Sequence, residues 1–175
     1  ENTKTLDNSL NTLHQVMNQT RTLTTELSSP ILKQLGLEKA LEWLAEETYK
    51  KYDILVTFED DKQEKPLEYN TQLLLYQAVS ELLTNVAKHA QTKNASVSIK
   101  KYNSSVQICV GDNGAGFYPP TDKSSHATIE GIGLFRIKER MEPLGGQLEI
   151  ESQPNRGTKV TLVAPLDDNF QEQKT

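Results

Sequence analysis

The sequence lacks several features that would place it in particular classes of protein. Cys109 is the only cysteine, so the chain makes no internal disulfide. No apolar run approaches the roughly 18 residues that a membrane-spanning helix needs. Lysine and arginine total 19 against 24 acidic residues, and no basic block could follow a nucleic-acid backbone. We therefore expect no disulfide framework, no nucleic-acid partner and no membrane contact from this chain.

The length and the beginning of the chain suggest part of a larger protein. A chain of 175 residues suits one sizeable domain with its own apolar core, plus an accessory element. With 35% hydrophobic and 25% charged residues, the composition predicts a soluble chain. No charged-then-apolar leader follows Glu1, so we expect no targeting segment and regard the chain as a piece of a longer protein.

The first 29 residues have the pattern of a helix that packs against a partner helix. Their apolar positions alternate at spacings of four and three, at Leu6, Leu10, Leu13, Met17 and Leu27, with Thr20 and Thr24 in two intervening slots. Pro30 disfavours helical geometry in the residue before it and is expected to end this helix. We predict a linker over residues 30–36, followed by the main domain over residues 37–165 and a polar tail over 166–175.

Apolar periodicity in the main domain alternates between helical and strand patterns. A helix is predicted from its apolar side, formed by Leu37, Leu41, Leu44, Ala45 and Thr48. A strand follows around residues 54–58, and the charged run 59–65 is interpreted as a solvated loop. A long helix is predicted from Pro66 to about Ala90, and a shorter one from about Gly133 to Leu144.

Two strand hairpins complete the predicted elements. Alternating apolar residues at 95–99 and 106–110 predict the first hairpin, and those at 148–150 and 160–164 predict the second. Helices interspersed with antiparallel strands favour an α/β fold: a two-layer sandwich with a mixed sheet and helices on one face, preceded by the N-terminal helix.

One polar stripe on the long helix could bind a metal and phosphates. At 100° per residue, Glu81, Asn85, Lys88 and His89 share one side, and the opposite side is apolar. A carboxylate, an amide oxygen and an ammonium group are what a Mg²⁺-bound polyphosphate requires. The alternative is an ordinary solvated helix face, because polar neighbours at this spacing are common.

The glycine-bearing segment Asp112-Asn113-Gly114-Ala115-Gly116 directly follows a predicted strand. A carboxylate only accepts hydrogen bonds, so Asp112 could bind the exocyclic amine of adenine and would repel the carbonyl oxygen of guanine. The alternative is a plain Asn-Gly turn. The irregular stretch 117–130 that follows is interpreted as a lid over a site.

A second glycine motif, Gly131-Ile132-Gly133-Leu134, lies where the shorter helix is predicted to begin. Glycines that open a helix expose unpaired N–H groups, which suit an anion such as a triphosphate. A helix cap at Gly133 is the alternative. The sequence has no GxxxxGK[ST] phosphate loop.

Taken in order, these motifs and Gly157-Thr158 resemble the ATP-binding catalytic domain of two-component sensor histidine kinases, which share a superfamily with gyrase, Hsp90 and MutL. The resemblance covers about residues 30–165. Residues 81–90, 133–140 and 144–146 are more narrowly similar to the subfamily paired with NarL-type response regulators.

The resemblance implies ATP and Mg²⁺ as ligands and a role for each matched residue. Asn85 would bind Mg²⁺, Asp112 would bind the adenine amine, and Glu81 is a catalytic candidate. The remaining implied ATP-binding residues are Lys88 and His89 near phosphates or ribose, Gly114 and Gly116 along the nucleotide, Gly131, Gly133 and Leu134 at the phosphate end, and Thr158 on the adenine side.

The resemblance also implies a cytoplasmic kinase domain that acts with partners. Residues 1–29 would be the second helix of a dimerisation hairpin whose first helix, carrying the phosphorylated histidine, is missing. His14 lacks the following acidic residue and is interpreted as a solvent-facing histidine. The implied partners are the phosphoacceptor helix, a sister protomer in a homodimer and a NarL-type response regulator.

Three rival functions remain for the same residues. An anti-sigma type kinase would phosphorylate serine on a protein, a nucleotide-responsive module would bind without transfer, and a gyrase-like enzyme would hydrolyse ATP. The N-terminal helix disfavours the first, because it belongs to a helical dimer bundle.

Overall fold

The structure is a computed structural model, and it describes residues 30–119 and 129–167. Its helices are α1 (residues 30–52), α2 (Tyr69–Asn85) and α3 (Ile129–Met141). A π-helical turn, Val86–Ala90, continues α2, and a 3₁₀ turn, Glu142–Leu144, follows α3. The predicted N-terminal helix over residues 1–29, lid residues 120–128 and residues 168–175 of the tail lie outside the described ranges.

Five strands form one mixed sheet in the order β1-β2-β3-β5-β4. Their bounds are β1 Leu55–Asp60, β2 Asn94–Tyr102, β3 Ser105–Asp112, β4 Gln147–Ser152 and β5 Thr158–Pro165. β1 pairs with β2 in parallel, and the other neighbours are antiparallel. Both predicted hairpins are therefore confirmed, and so is the mixed sheet.

One hydrophobic core lies between the helices and a single face of the sheet. The five residues predicted on the apolar side of the first domain helix are all buried in α1, and the predicted apolar stripe of α2 is buried as well. From the sheet the core takes alternate residues, among them Val97, Ile99, Ile108 and Leu162. This packing confirms the two-layer α/β sandwich, because each helix buries one stripe and the sheet buries one face.

Three element boundaries differ from the sequence predictions. Residues 30–36, predicted as a linker, belong to α1, although Gly36 has a left-handed φ of 80°; Leu32 is 1% exposed and packs into the core. Pro30 suits a first helical turn, where a missing N–H costs nothing. α2 begins at Tyr69 rather than at Pro66, whose carbonyl instead accepts the N–H of Asp167 at 3.0 Å.

The third difference concerns α3, which begins at Ile129 rather than near Gly133. Gly131 therefore lies in the first turn of α3, and Gly133 is its fifth residue. Only the first four N–H groups of a helix lack intrahelical partners. The N–H of Gly133 is thus not one of the unpaired groups on which the anion interpretation of this motif relied.

The charged run 59–65 is not simply solvated surface. The Lys65 side chain is 1% exposed, and its Nζ lies 2.9 Å from Asp60 Oδ1 and 2.6 Å from Asp61 Oδ1. Burial alone would raise the pKa of Asp61, but hydrogen bonds from Lys65 and from the Lys101 and Gln63 backbone lower it to about 2. Buried charges require partners of this kind.

No helix within residues 30–119 and 129–167 is both long enough and apolar enough to cross a bilayer. The apolar sides of these helices pack in the core described above.

Candidate functional site

A cleft with apolar walls lies between the end of α2, the adjoining ends of β3 and β5, and the loop after β3. It encloses about 100 Å³. The predicted site residues that line it are Asn85, His89, Asp112, Gly116, Leu134 and Thr158. The apolar wall consists of Leu82, Val86, Ala90, Val110, Phe117 and Val160. The fold thus brings together residues that lie far apart in the sequence.

Asp112 supplies the carboxylate of the cleft. It ends β3 and pairs in register with Thr158 at the start of β5. Its Oδ1 accepts the Gly114 N–H at 2.8 Å, and the carboxylate also accepts the Thr158 backbone N–H. Burial raises the pKa of Asp112, and these two hydrogen bonds offset only part of that effect. A half-buried group with this shift and free lone pairs is typical of a binding site.

The loop after β3 is held by hydrogen bonds to two other segments of the chain. The Ala115 N–H donates to the Ala90 carbonyl at 2.7 Å, and the Ala115 carbonyl accepts the Asn155 N–H at 2.6 Å. A Cβ on Gly114 would overlap the Ala90 carbonyl oxygen. Gly114 is therefore required for close backbone packing, and it does not line the cleft.

The π-helical turn separates the residues of the predicted polar stripe. Asn85 and His89 line the cleft, whereas Lys88 is exposed and lies outside the lining residues. A π-turn has more residues per turn than an α-helix, so the 100° spacing used for the prediction does not hold beyond Asn85. The turn ends at Gln91 with a left-handed φ of 53°.

Glu81 and Asn85 meet α3 at Gly133. A Cβ placed on Gly133 would lie 3.2 Å from Glu81 Oε1 and 3.8 Å from Asn85 Nδ2. The absence of a side chain at Gly133 thus lets α3 approach two polar groups of α2. This approach, rather than an exposed N–H group, is the role that the geometry gives Gly133.

Several cleft residues are not among the site residues predicted from the sequence. The sequence predicts Val110 and Val160 only as strand residues, although period-two alternation places them on the same face as Asp112 and Thr158. That alternation was the signal that could have found them. The sequence predicts Phe117 only as part of the lid, and no local pattern indicates that it lines the cleft.

A larger and more open concavity of about 870 Å³ borders the sheet face turned away from the helices. Ser96, Cys109 and Lys159 are among its residues, and Lys159 is already paired with Glu151 at 2.7 Å. Its only predicted site residues are Asp112 and Thr158, at its border with the smaller cleft. We therefore assign the site to the smaller cleft.

The chain matches a known protein family over the part that builds the cleft. The family model is described as histidine kinase-, DNA gyrase B-, and HSP90-like ATPase, and it matches residues 70–168. This range contains α2 from its second residue, the π-turn, α3 and every residue that lines the cleft. The chain belongs to this ATPase family. The sequence resemblance to that superfamily is thereby confirmed.

Two relatives of the ATPase family are sensor histidine kinases by name. The chain is 31% identical over 156 residues to the oxygen sensor histidine kinase NreB of Staphylococcus carnosus, spanning 89% of this chain and 44% of that protein. It is 28% identical over 154 residues to the sensor histidine kinase ComP of Bacillus subtilis, spanning 88% of this chain and 20% of that protein. The chain thus spans less than half of either relative.

Solved structures of two histidine kinases share this fold. A histidine kinase domain from Erythrobacter litoralis EL346 superposes with a TM-score of 0.59 at 18% identity, covering 74% of this chain and 61% of that one. The histidine kinase AdeS of Acinetobacter baumannii superposes with a TM-score of 0.63 at 12% identity, covering 89% and 82%. At these identities the similarity concerns the fold alone.

Proposed function

We propose that this chain is the catalytic, nucleotide-binding part of a sensor histidine kinase. It binds Mg·ATP and transfers the γ-phosphoryl group to a histidine on a phosphoacceptor helix. The observation that carries the proposal is the half-buried Asp112 carboxylate in an apolar cleft of a chain from this ATPase family. The names of the two relatives support the choice of a kinase over the other members.

The cleft suits the flat, weakly polar surface of a purine base. Val86, Val110 and Val160 offer apolar contact to the faces and edge of the ring, and Asp112 accepts a hydrogen bond from its amine. A 6-oxo purine would place a carbonyl oxygen against the carboxylate, with repulsion in place of a hydrogen bond. Adenine is therefore the base that fits.

The volume of the cleft supports a site for the base alone, with the phosphates outside it. At about 100 Å³ it is smaller than the roughly 300–1,000 Å³ of pockets that enclose whole small molecules. The base occupies the cleft, and the triphosphate extends past Asn85 towards Glu81 and α3. His89 borders the path of the ribose and phosphates, while the exposed Lys88 needs a side-chain movement to reach them.

Mg²⁺ fits the available groups only together with the phosphates. Within the described ranges no group of three or more His, Cys, Asp or Glu side chains could hold a metal. Mg²⁺ ordinarily uses one or two protein oxygens plus phosphates and water. The Asn85 amide oxygen supplies such a ligand, and the bound ion would neutralise phosphate charge during transfer.

Transfer requires mainly positioning and charge neutralisation. A histidine ring nitrogen attacks the γ-phosphorus, the bond to the β,γ-bridging oxygen breaks, and ADP leaves with those electrons. Glu81, one helical turn before Asn85 and next to Gly133, is the candidate to accept or steer the proton of the attacking ring.

The proposal extends to partners and location. The phosphoacceptor helix comes from another part of the full-length protein or from a sister protomer in a homodimer, and a NarL-type response regulator receives the phosphoryl group. We place the domain in the cytoplasm, where ATP is supplied.

Phosphotransfer to a separate hairpin tests the proposal. The chain is mixed with a phosphoacceptor helix hairpin, Mg²⁺ and γ-labelled ATP, and the hairpin is then analysed for acid-labile phosphohistidine. The expected result is labelled histidine, absent when the histidine is replaced by glutamine. Acid-stable phosphoserine on a different protein would instead support an anti-sigma type kinase, and tight ATP binding without transfer would support a binding module.

A further inference from the structure

One hydroxyl beside the cleft has three hydrogen-bond partners. Ser152 ends β4 and does not line the cleft. Its Oγ lies 2.9 Å from the Phe117 backbone nitrogen, 3.0 Å from the Gly157 carbonyl oxygen and 2.9 Å from Thr158 Oγ1. Two of these partners, Phe117 and Thr158, line the cleft themselves.

Counting protons fixes the direction of each of these hydrogen bonds. A serine hydroxyl has one proton to donate and two lone pairs that accept. The Gly157 carbonyl can only accept, so the Ser152 proton lies on that bond. The Phe117 N–H can only donate to Ser152 Oγ. The third bond therefore forms only when Thr158 donates its hydroxyl proton to Ser152.

The proton count decides what Thr158 offers to a ligand. With its only proton directed at Ser152, Thr158 Oγ1 presents lone pairs to the cleft. The Asp112 carboxylate beside it accepts hydrogen bonds as well. The polar end of the cleft is thus acceptor-only, and a ligand edge that donates hydrogen bonds fits it.

We propose that Ser152 is a positioning residue that sets base specificity through Thr158. This inference rests on the proposed ATP site. Ser152 keeps the Thr158 hydroxyl from donating to a 6-oxo purine and so favours the 6-amino purine. Without the Ser152 hydroxyl, Thr158 is free to rotate and to donate to a carbonyl oxygen. Discrimination between the two bases then rests on Asp112 alone.

The test compares two nucleotides that differ at the 6-position of the base. Affinities for ATP and inosine triphosphate are measured by calorimetry for the wild type, Ser152→Ala and Ser152→Thr. We expect the ATP-to-inosine triphosphate affinity ratio to fall about tenfold in Ser152→Ala, the size of one mismatched buried hydrogen bond. Ser152→Thr keeps the hydroxyl and is expected to keep the ratio.

The ATP-to-inosine triphosphate affinity ratio distinguishes a change in base specificity from a general loss of structure in the cleft. Freeing the Phe117 N–H in Ser152→Ala loosens the cleft for both nucleotides alike, so that effect cancels in the ratio. In a Thr158→Val background, Ser152→Ala should leave the ratio unchanged, because the residue through which Ser152 acts is gone. A further change of the ratio in that background would overturn the inference.

A second variant, Ser152→Cys, provides the test if Ser152→Ala does not fold. The thiol of Ser152→Cys is similar in size to the hydroxyl but is a weaker hydrogen-bond donor and acceptor. The ATP-to-inosine triphosphate affinity ratio should therefore fall as in Ser152→Ala, by a smaller factor. If a folded Ser152→Ala or Ser152→Cys protein keeps the wild-type ratio, Ser152 has no such role. If the wild type itself binds neither nucleotide or does not prefer ATP, the proposed function fails instead.

Discussion

Asp112 decides which ligand edge the cleft can accept. Its carboxylate is half-buried at the end of β3, and two backbone N–H groups hold it in place without exhausting its lone pairs. Burial disfavours the charged form of Asp112, which is why its pKa is raised. A charge-assisted hydrogen bond from a ligand amine offsets part of that desolvation cost.

Asp112→Asn is expected to weaken ATP binding. The substitution removes the charge and replaces one acceptor oxygen with a donor, and losing a hydrogen bond to a charged group costs about 2 kcal/mol, or roughly 30-fold in affinity. Calorimetric titration with ATP measures the change. Asp53→Asn, at an exposed carboxylate that pairs with Lys93, serves as the matched control and should bind like wild type. An unchanged affinity in Asp112→Asn would remove the adenine assignment.

Asn85→Ala is expected to abolish the Mg²⁺ dependence of ATP binding. Asn85 is the amide that the cleft offers to a phosphate-bound metal, and loss of its oxygen leaves the ion with phosphate and water alone. The ATP affinities measured with Mg²⁺ and with a chelator should differ for the wild type and be equal for the variant. Asn70→Ala, an exposed position on the same helix, should retain the difference. Persistence of that difference in Asn85→Ala would place the metal ligand elsewhere.

The packing of α3 and the post-β3 loop against α2 and its π-turn determines the shape of the site. α3 meets α2 where Gly133 faces Glu81 and Asn85, and the loop meets the π-turn where Gly114 faces the Ala90 carbonyl. The two contacts differ in kind. Gly133 faces the end of a side chain, which can move, whereas Gly114 faces backbone, which cannot move without disturbing the turn.

Gly133→Ala is expected to raise stability while lowering function. Alanine in a helix interior is favoured over glycine by up to about 1 kcal/mol, and its Cβ displaces the Glu81 carboxylate by only a few tenths of an ångström. Thermal unfolding should show an equal or higher Tm, and phosphotransfer to the hairpin should slow. A stable variant with wild-type transfer would mean that the position of Glu81 does not matter.

Gly114→Ala provides the contrast. Because its Cβ would overlap the Ala90 carbonyl oxygen, the Ala115–Ala90 hydrogen bond must break, with an expected loss of at least about 2 kcal/mol of stability. Chemical denaturation measures the free energy of unfolding. A loss as large in Gly133→Ala would contradict the distinction between the two contacts.

The nucleotide cleft and the cluster of charged residues around Lys65 lie toward opposite ends of the strands. The cleft lies where Asp112 pairs with Ala95, and the Lys65 cluster lies near the opposite end, where Asp60 pairs with Ile99. The Lys65 cluster comprises Lys65 with Asp60, Asp61 and Glu38, and it connects α1, β1 and the loop before α2. Asp61 also accepts the Lys101 N–H of β2 at 2.7 Å.

Lys65→Met is expected to destabilise the fold without changing nucleotide affinity. It leaves the largely buried Asp61 carboxylate without its lysine partner and Asp60 with only the exposed Lys62, which costs about 3 kcal/mol. Denaturant unfolding measures the loss, and ATP titration measures the affinity. Lys62→Met removes an exposed lysine that contacts Asp60 at 3.1 Å, and it should change stability by no more than about 0.5 kcal/mol.

The pH dependence of stability provides a second measure of the Lys65 cluster. The pKa of Asp61 is about 2 in the fold, below the roughly 3.9 of an unfolded aspartate. Its stabilisation is therefore complete above the unfolded pKa and is lost as the pH falls from about 4 to about 2. Wild type should lose more stability over this interval than Lys65→Met. Equal losses would mean that Lys65 does not lower the pKa of Asp61.

Local sequence patterns are sufficient to predict the order of most elements, their buried faces and the acidic end of the cleft. Periodicity depends on which side of a helix or strand meets the core, so the apolar sides of α1, α2 and the two hairpins could be read locally. Asp112 could be found because a strand end followed by glycines is a local signal.

Contacts between distant segments depend on the three-dimensional packing of the whole chain. The π-turn and the position of Lys88 outside the cleft do not follow from helical periodicity. The contacts of Ser152 with Phe117 and of Gly133 with Glu81 join atoms that lie far apart in the sequence. Local patterns contain no information about such approaches. Close packing permits only one arrangement of those backbone and side-chain atoms, and the whole fold determines which one.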